Sequence, residues 1–322
     1  MDDKKDQDLA NENKLISNKI YQYFYVMLKD KREINFFVIY ILYILETIQL
    51  ISYGFSEPHI DIWKEKDSTI KTISDIIGIS RITALMKYIK FNIYLIIFFI
   101  LIIFTFTLCI FLFVQILFFK ESKLFINFVN IIKNLIYPLS IFMYIPIIEL
   151  LLLPMKCNSE NKVEMVKEGI KCWENIHYLY SILGIICSIL FLLCNIFLVN
   201  LFFYPFNYRD SSVKIQSTND TIFLIIKYIF VLRFIIVKNE YLSISILFIF
   251  SLYALIQEFN ENTFNNSRIE IFINLKYFLS FWIYFILLLA KFFKNTQLNG
   301  LIYIFIFGVP FIIICCILLI QK

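Results

Sequence analysis

Four ionisable residues stand inside or beside long runs of Ile, Phe, Leu and Tyr: Glu46, Glu149, Lys227 and Arg233. A charge at the centre of a bilayer costs about 2.5–3.5 kcal/mol on insertion scales, so such a group faces a partner or water. One arrangement pairs Glu46 or Glu149 with Lys227 or Arg233 across a helical bundle. The other leaves the two cations to snorkel towards opposite interfaces, with apolar stems buried and charged heads wet. A voltage sensor is poorly matched, because its cations repeat at close, regular intervals over several turns. A carbonyl-lined selectivity filter is equally poorly matched by a chain with only 6 glycines.

The second group with chemical potential is thiol-based. The run MKCNSENKVEMVKEGIKCWENIH carries Cys157 and Cys172 at its two ends, followed by His177. If this loop faces an oxidising compartment, a disulfide closing about 16 residues is expected, worth roughly 3 kcal/mol. Otherwise these are two free thiols. A zinc site needs more ligands than Cys157, Cys172 and His177 supply, and the C-x₂-C spacing is absent. Cys109, Cys187, Cys194, Cys315 and Cys316 lie inside apolar runs and read as lipid- or core-facing. No G-x-S-x-G, H-E-x-x-H or phosphate-binding glycine loop occurs, so neither enzymatic chemistry nor a cofactor is expected. His59 sits in a polar stretch and reads as solvated.

The elements that must carry these residues follow from composition. The chain is 60% hydrophobic and 17% charged, with mean hydropathy +0.76. Soluble domains carry about 25% charged residues. A helix needs roughly 20 apolar residues to span the hydrocarbon core, and lipid leaves no other way to satisfy the backbone of a single segment. The apolar runs predict an all-α integral membrane protein of about eight spans, near 35–53, 91–119, 135–153, 177–203, 221–237, 242–256, 275–293 and 301–320. The fifth and sixth are short, and could be a tight hairpin or one broken element. Pro138, Pro146 and Pro154 predict a kinked third span, because proline removes a backbone donor and clashes with the preceding turn. Residues 1–34 are polar, with no apolar core of the kind a secretory signal needs. Within 54–90, Ile70, Ile73, Ile76, Ile77, Ile82, Leu85, Met86 and Ile89 recur at helical steps. They predict an amphipathic helix lying on the membrane. The expected partner is the lipid bilayer. Net charge +5 is spread over short loops, and no dense basic patch points to nucleic acid.

Basic residues divide almost evenly between the two sides of such a bundle. Only the N-terminal segment, with seven Lys and Arg, leans towards a cytoplasmic N-terminus. Asn219-Asp220-Thr221 and Asn265-Asn266-Ser267 match the glycosylation sequon, but both fall on the N-terminal side, opposite the cysteine loop. The two assignments compete, and chance sequons are expected in an Asn-rich chain.

The element Cys172-Trp173-Glu174-Asn175-Ile176-His177, opening an apolar span after a cysteine-bearing loop, resembles the C-W-x-x-x-H element of the tiny macrocysts protein family. These are large membrane proteins of ciliates and other protists, often carrying PAS-type sensory domains. Other segments agree in order. Glu46 and Gln49, followed by Ser52-Tyr53-Gly54-Phe55 and Trp63, resemble the family's opening segment. Pro146-Ile147-Ile148-Glu149, Lys227-Tyr228-Ile229 and Gly308-Val309-Pro310-Phe311 resemble parts of later spans. The family usually has a Gly between Cys-Trp and His, where this chain has Glu174, Asn175 and Ile176. Family members also continue into a long cytoplasmic region, which would begin where this sequence stops. The resemblance implies a membrane module of a sensory or signalling protein, without catalytic chemistry and with unknown protein partners. The alternatives are an ion channel or transporter, with Glu46, Glu149, Lys227 and Arg233 lining a polar route, and a purely structural membrane component.

Overall fold

In the computed structural model, the residues described are 36–55, 81, 86, 88–117, 138–157, 171–173, 176–202, 218–237, 239–260 and 267–292. Seven α-helices run through them: α1 (Phe36–Ser52), α2 (Phe91–Leu117), α3 (Tyr144–Leu152), α4 (Ile176–Phe202), α5 (Thr218–Ile236), α6 (Glu240–Asn260) and α7 (Ser267–Phe292). The eighth expected span, the N-terminal segment and nearly all of the expected interfacial helix lie outside the described residues. Four helices, α2, α4, α6 and α7, are long and apolar enough to cross a membrane. The apolar stretches of α1 and α3 are shorter, and α5 carries Asp220, Lys227 and Arg233 in its 19 residues.

The helices divide by how they are packed. α2 is the most outward: Ile93, Ile96, Ile100, Ile103 and Ile110 are exposed, while Tyr94, Phe98, Ile102, Thr105 and Leu112 are buried. The buried set recurs at helical spacing, so one stripe faces the bundle and the remaining apolar surface suits lipid. α3 is the opposite case, with every residue from Tyr144 to Leu152 buried. It packs on α4, α5 and α2, while α7 packs on α6 and α1.

The third apolar run is broken rather than merely kinked. Pro138–Phe142 form a π turn, the helix restarts at Tyr144, and Leu153–Met155 close it as a 3₁₀ turn. The restart places Pro146 in the first turn of α3, where a missing N–H leaves no helical bond unmade. Pro154 falls within the closing turn, where the α-helix has already ended.

The expected fifth and sixth spans are two separate helices. Asn239 joins them, its Oδ1 accepting from the backbone N–H groups of Tyr241 at 3.0 Å and Leu242 at 3.3 Å. That side-chain cap satisfies donors left open at a helix start and fixes where α6 begins. α6 extends to 21 residues, longer than the apolar run suggested, because polar Gln257, Glu258 and Asn260 continue it.

Cross-helix ties use tyrosine hydroxyls. Tyr94 donates to the Leu150 carbonyl at 2.9 Å, Tyr144 to that of Leu224 at 3.1 Å, and Tyr284 to that of Leu50. Buried Tyr oxygens need a partner, and helix carbonyls supply one without breaking the helix. α3 and α4 approach closely at Gly184, where an added Cβ would lie 2.2 Å from the Leu151 carbonyl oxygen.

Candidate functional site

The bundle interior holds two clusters of charge at different depths. In the first, α1 presents Glu46, α5 presents Lys227 and α7 presents Lys276. Glu46 is 1% exposed, and both of its oxygens are engaged. Lys227 Nζ closes on Oε1, and Lys276 Nζ donates to Oε2 at 2.8 Å. Lys227 also donates to the Ser140 carbonyl in the π turn at 3.3 Å, so the break before α3 supplies one wall of the cluster. Lys276 lies over the rings of Tyr277 and Tyr43, 4.1 and 4.7 Å from their centroids. Cation–π contact strengthens when desolvated, which suits an ammonium in this setting.

A cavity of about 30 Å³ adjoins this cluster, lined by Glu46, Lys227 and Lys276 and also by Asp220, Glu258, Tyr43 and Ser140. That is room for about two waters, and the lining supplies the polar partners a buried water requires. Three carboxylates and two ammoniums therefore meet around one small polar space.

The second cluster centres on Glu149 of α3. Its Oε1 accepts from the Tyr53 hydroxyl at 2.5 Å and forms an ion pair with Arg81 Nε at 3.2 Å. Arg81 also lies over the Phe234 ring at 3.6 Å, and Lys156 over the same ring at 3.7 Å. Glu46 and Tyr53 are seven residues apart on the α1 segment, and the two clusters are therefore about 10 Å apart along the bundle. Buried Gln49 lies between them in sequence, one turn past Glu46, on the same helix.

These positions revise the sequence reading. Lys227 and Arg233 do not snorkel to interfaces: they are 6% and 2% exposed, inside the bundle. Glu149 pairs with Arg81, from the segment read as an interfacial helix. Arg233 instead donates to Ser243 of α6. Lys276 escaped the sequence reading because it sits near the start of its apolar run, where lysine normally reaches interfacial water. Buried Glu258 escaped because it follows a run that looked finished. Lys291, paired with Glu240, ties α7 to α6 near the far end.

The cysteine element is compact. Cys157 and Cys172 form a disulfide, with Cα atoms 6.2 Å apart. Trp173 follows with φ 62°, a left-handed conformation uncommon for a bulky residue. Its backbone N–H donates to His177 Nδ1 at 3.0 Å, and His177 Nε2 lies 2.8 Å from the Pro154 carbonyl. One imidazole thus holds both arms of the loop together at the foot of α4. Cys109 of α2 lies 3.0 Å, sulfur to sulfur, from Cys194 of α4, and Cys187 is buried. Cys315 and Cys316 lie outside the described residues.

No protein-family model, no curated protein and no solved structure matches the chain.

Proposed function

We propose that the chain is a multi-pass integral membrane protein that conducts protons or small ions along a charged route inside its helical bundle. The observation that carries this reading is Glu46, held between Lys227 and Lys276 beside a small cavity that Asp220 and Glu258 also line. Ionisable groups in membrane helices are costly, and those facing a bundle interior or a water-filled cavity mark ion paths and proton relays. The broken segment at 138–155 adds support, because irregular backbone at membrane depth is tolerated where it is buried in protein or lines a cavity. The Glu149–Arg81–Tyr53 cluster, about two helical turns further along α1, places a second buried set of charges in the same bundle.

The test is flux. Full-length protein in liposomes with an internal pH dye, and separately with an alkali-cation gradient, is expected to dissipate the gradient faster than protein-free liposomes. Glu46→Gln is expected to slow that flux at least tenfold. Flux no faster than in protein-free liposomes for both gradients sinks the reading.

A second reading is supported by the cysteine element. Cys172, Trp173 and His177, the residues that resemble the tiny macrocysts element, make a single hydrogen-bonded unit. A membrane module serving sensory or signalling domains would use such a unit as a rigid staple. That reading expects no flux, and it expects the transcript to encode a soluble domain beyond Lys322.

A further inference from the structure

We propose that Cys157, Cys172 and His177 form a redox-gated metal site, closed as a disulfide when oxidised and binding one zinc-class divalent ion when reduced. Their candidate ligand atoms, two Sγ and one imidazole nitrogen, all lie within 4.8 Å of one another. The loop and α4 thus already bring the three groups together, although they span 20 residues of sequence.

The hydrogen bonds fix the imidazole for this role. A backbone N–H is only a donor, so the Trp173 amide makes Nδ1 of His177 the unprotonated nitrogen, whose lone pair accepts that N–H. The proton then resides on Nε2, which donates to the Pro154 carbonyl at 2.8 Å. Metal-bound histidines have this pattern: one nitrogen ligates while the other donates to a carboxylate or backbone carbonyl that sets tautomer and ring orientation. The outer bond is therefore in place before any metal arrives. Nδ1 faces the amide of Trp173, the residue after Cys172, so an ion taking that nitrogen displaces the Trp173 N–H. His177 is 1% exposed and Cys172 4% exposed, so two of the three groups are held in place by their surroundings. Cys157, half-buried, leaves a way in.

The chemistry balances. Two molecules of a small thiol RSH reduce the bridge through a mixed disulfide: the Cys157–Cys172 bond breaks, two protein thiols form, and RSSR leaves. A divalent ion then binds both sulfurs as thiolates, with release of two protons, and takes Nδ1 of neutral His177. Zn–S bonds of about 2.3 Å in a tetrahedral site set the sulfurs about 3.8 Å apart, a small opening from the bridged state. Two thiolates and one imidazole leave the fourth position for water, which is how zinc sites with an open position are built.

Full-length protein in detergent, in a Cys109→Ser/Cys194→Ser background that removes the other close thiol pair among the described residues, tests this with Co²⁺ alone as the probe. After reduction and anaerobic removal of reductant, one Co²⁺ per chain is expected. It should show the intense visible bands of a tetrahedral site and a sulfur-to-cobalt charge-transfer band, both abolished by excess Zn²⁺. The oxidised protein should show neither. Cys157→Ser, at the half-buried position least disruptive to folding, should remove the charge-transfer intensity and weaken binding more than tenfold. His177→Gln should weaken binding at least tenfold while leaving both thiols reactive to maleimide. Absence of Co²⁺ uptake by the reduced protein overturns the proposal, as does uptake unchanged by Cys157→Ser.

Discussion

Lys276 of α7 donates to Glu46 of α1 across 230 residues of sequence, and the carboxylate's other oxygen is taken by Lys227 of α5. Three helices are thereby registered on one buried carboxylate. Removing it should leave two ammoniums buried and facing each other. Breaking a buried pair by deleting one partner is destabilising by about 3–5 kcal/mol. Glu46→Gln should therefore lower the thermal transition of the detergent-solubilised chain sharply, and adding Lys276→Gln should recover part of the loss. Additive losses in that double-mutant cycle would argue against the shared cluster.

Tyr53 and Glu149 make a narrower test. The hydroxyl donates to a carboxylate that also pairs with Arg81, so Tyr53→Phe removes one charge-assisted bond while keeping the ring. A loss of about 1.5–3 kcal/mol is expected. Glu149→Gln should be worse, since it leaves the Arg81 charge buried. Equal losses for the two variants would contradict the ion pair.

Gly184 is where α4 meets α3 backbone to backbone. A Cβ there would lie 2.2 Å from the Leu151 carbonyl oxygen, which cannot yield as a side-chain tip would. Gly184→Ala should destabilise by about 1–3 kcal/mol or more through forced separation of the helices. Size-exclusion profiles and thermal aggregation report it. A well-folded, equally stable Gly184→Ala protein would mean the helices pack differently.

The contact between Cys109 and Cys194 reports the packing of α2 on α4. Mild oxidation with copper phenanthroline should join them, giving one cross-linked peptide pair in a non-reducing digest. Pairing of either cysteine with Cys157 or Cys172 instead would be inconsistent with the helix arrangement.

Asn219 matches a glycosylation sequon yet is 0% exposed, and its Oδ1 accepts from Gln257 Nε2 at 3.3 Å. No glycan can be accommodated at that side chain in the folded bundle. In a eukaryotic host, Asn219→Gln should leave gel mobility and endoglycosidase sensitivity unchanged. A mobility shift would show that the start of α5 is open. With mobility unchanged, this sequon no longer stands against the cysteine-loop topology.

The residues themselves show what could be read early and what could not. Long Ile-, Leu- and Phe-rich runs fixed the helices and their order, because lipid and backbone hydrogen bonding leave an apolar segment few options. The prolines of the third run announced a kink, where the structure has a break, and the spacing of Cys157 and Cys172 made a bridge geometrically reasonable. Asn239 and Glu258 showed why boundaries slipped by several residues: capping and polar continuation are local hydrogen-bond facts that hydropathy does not register. Partner choice was beyond the sequence. A lysine near the start of an apolar run has the same composition whether it turns to interfacial water or to Glu46, and Arg81 in a polar stretch carries no mark of Glu149. Coulomb attraction in a low-dielectric core decides such pairings only after packing brings the groups within a few ångströms. Sequence alone thus determined that the chain forms apolar helices suited to a bilayer. Tertiary packing decided that their few charges converge into two interior clusters, and that His177 faces the cysteines that precede it.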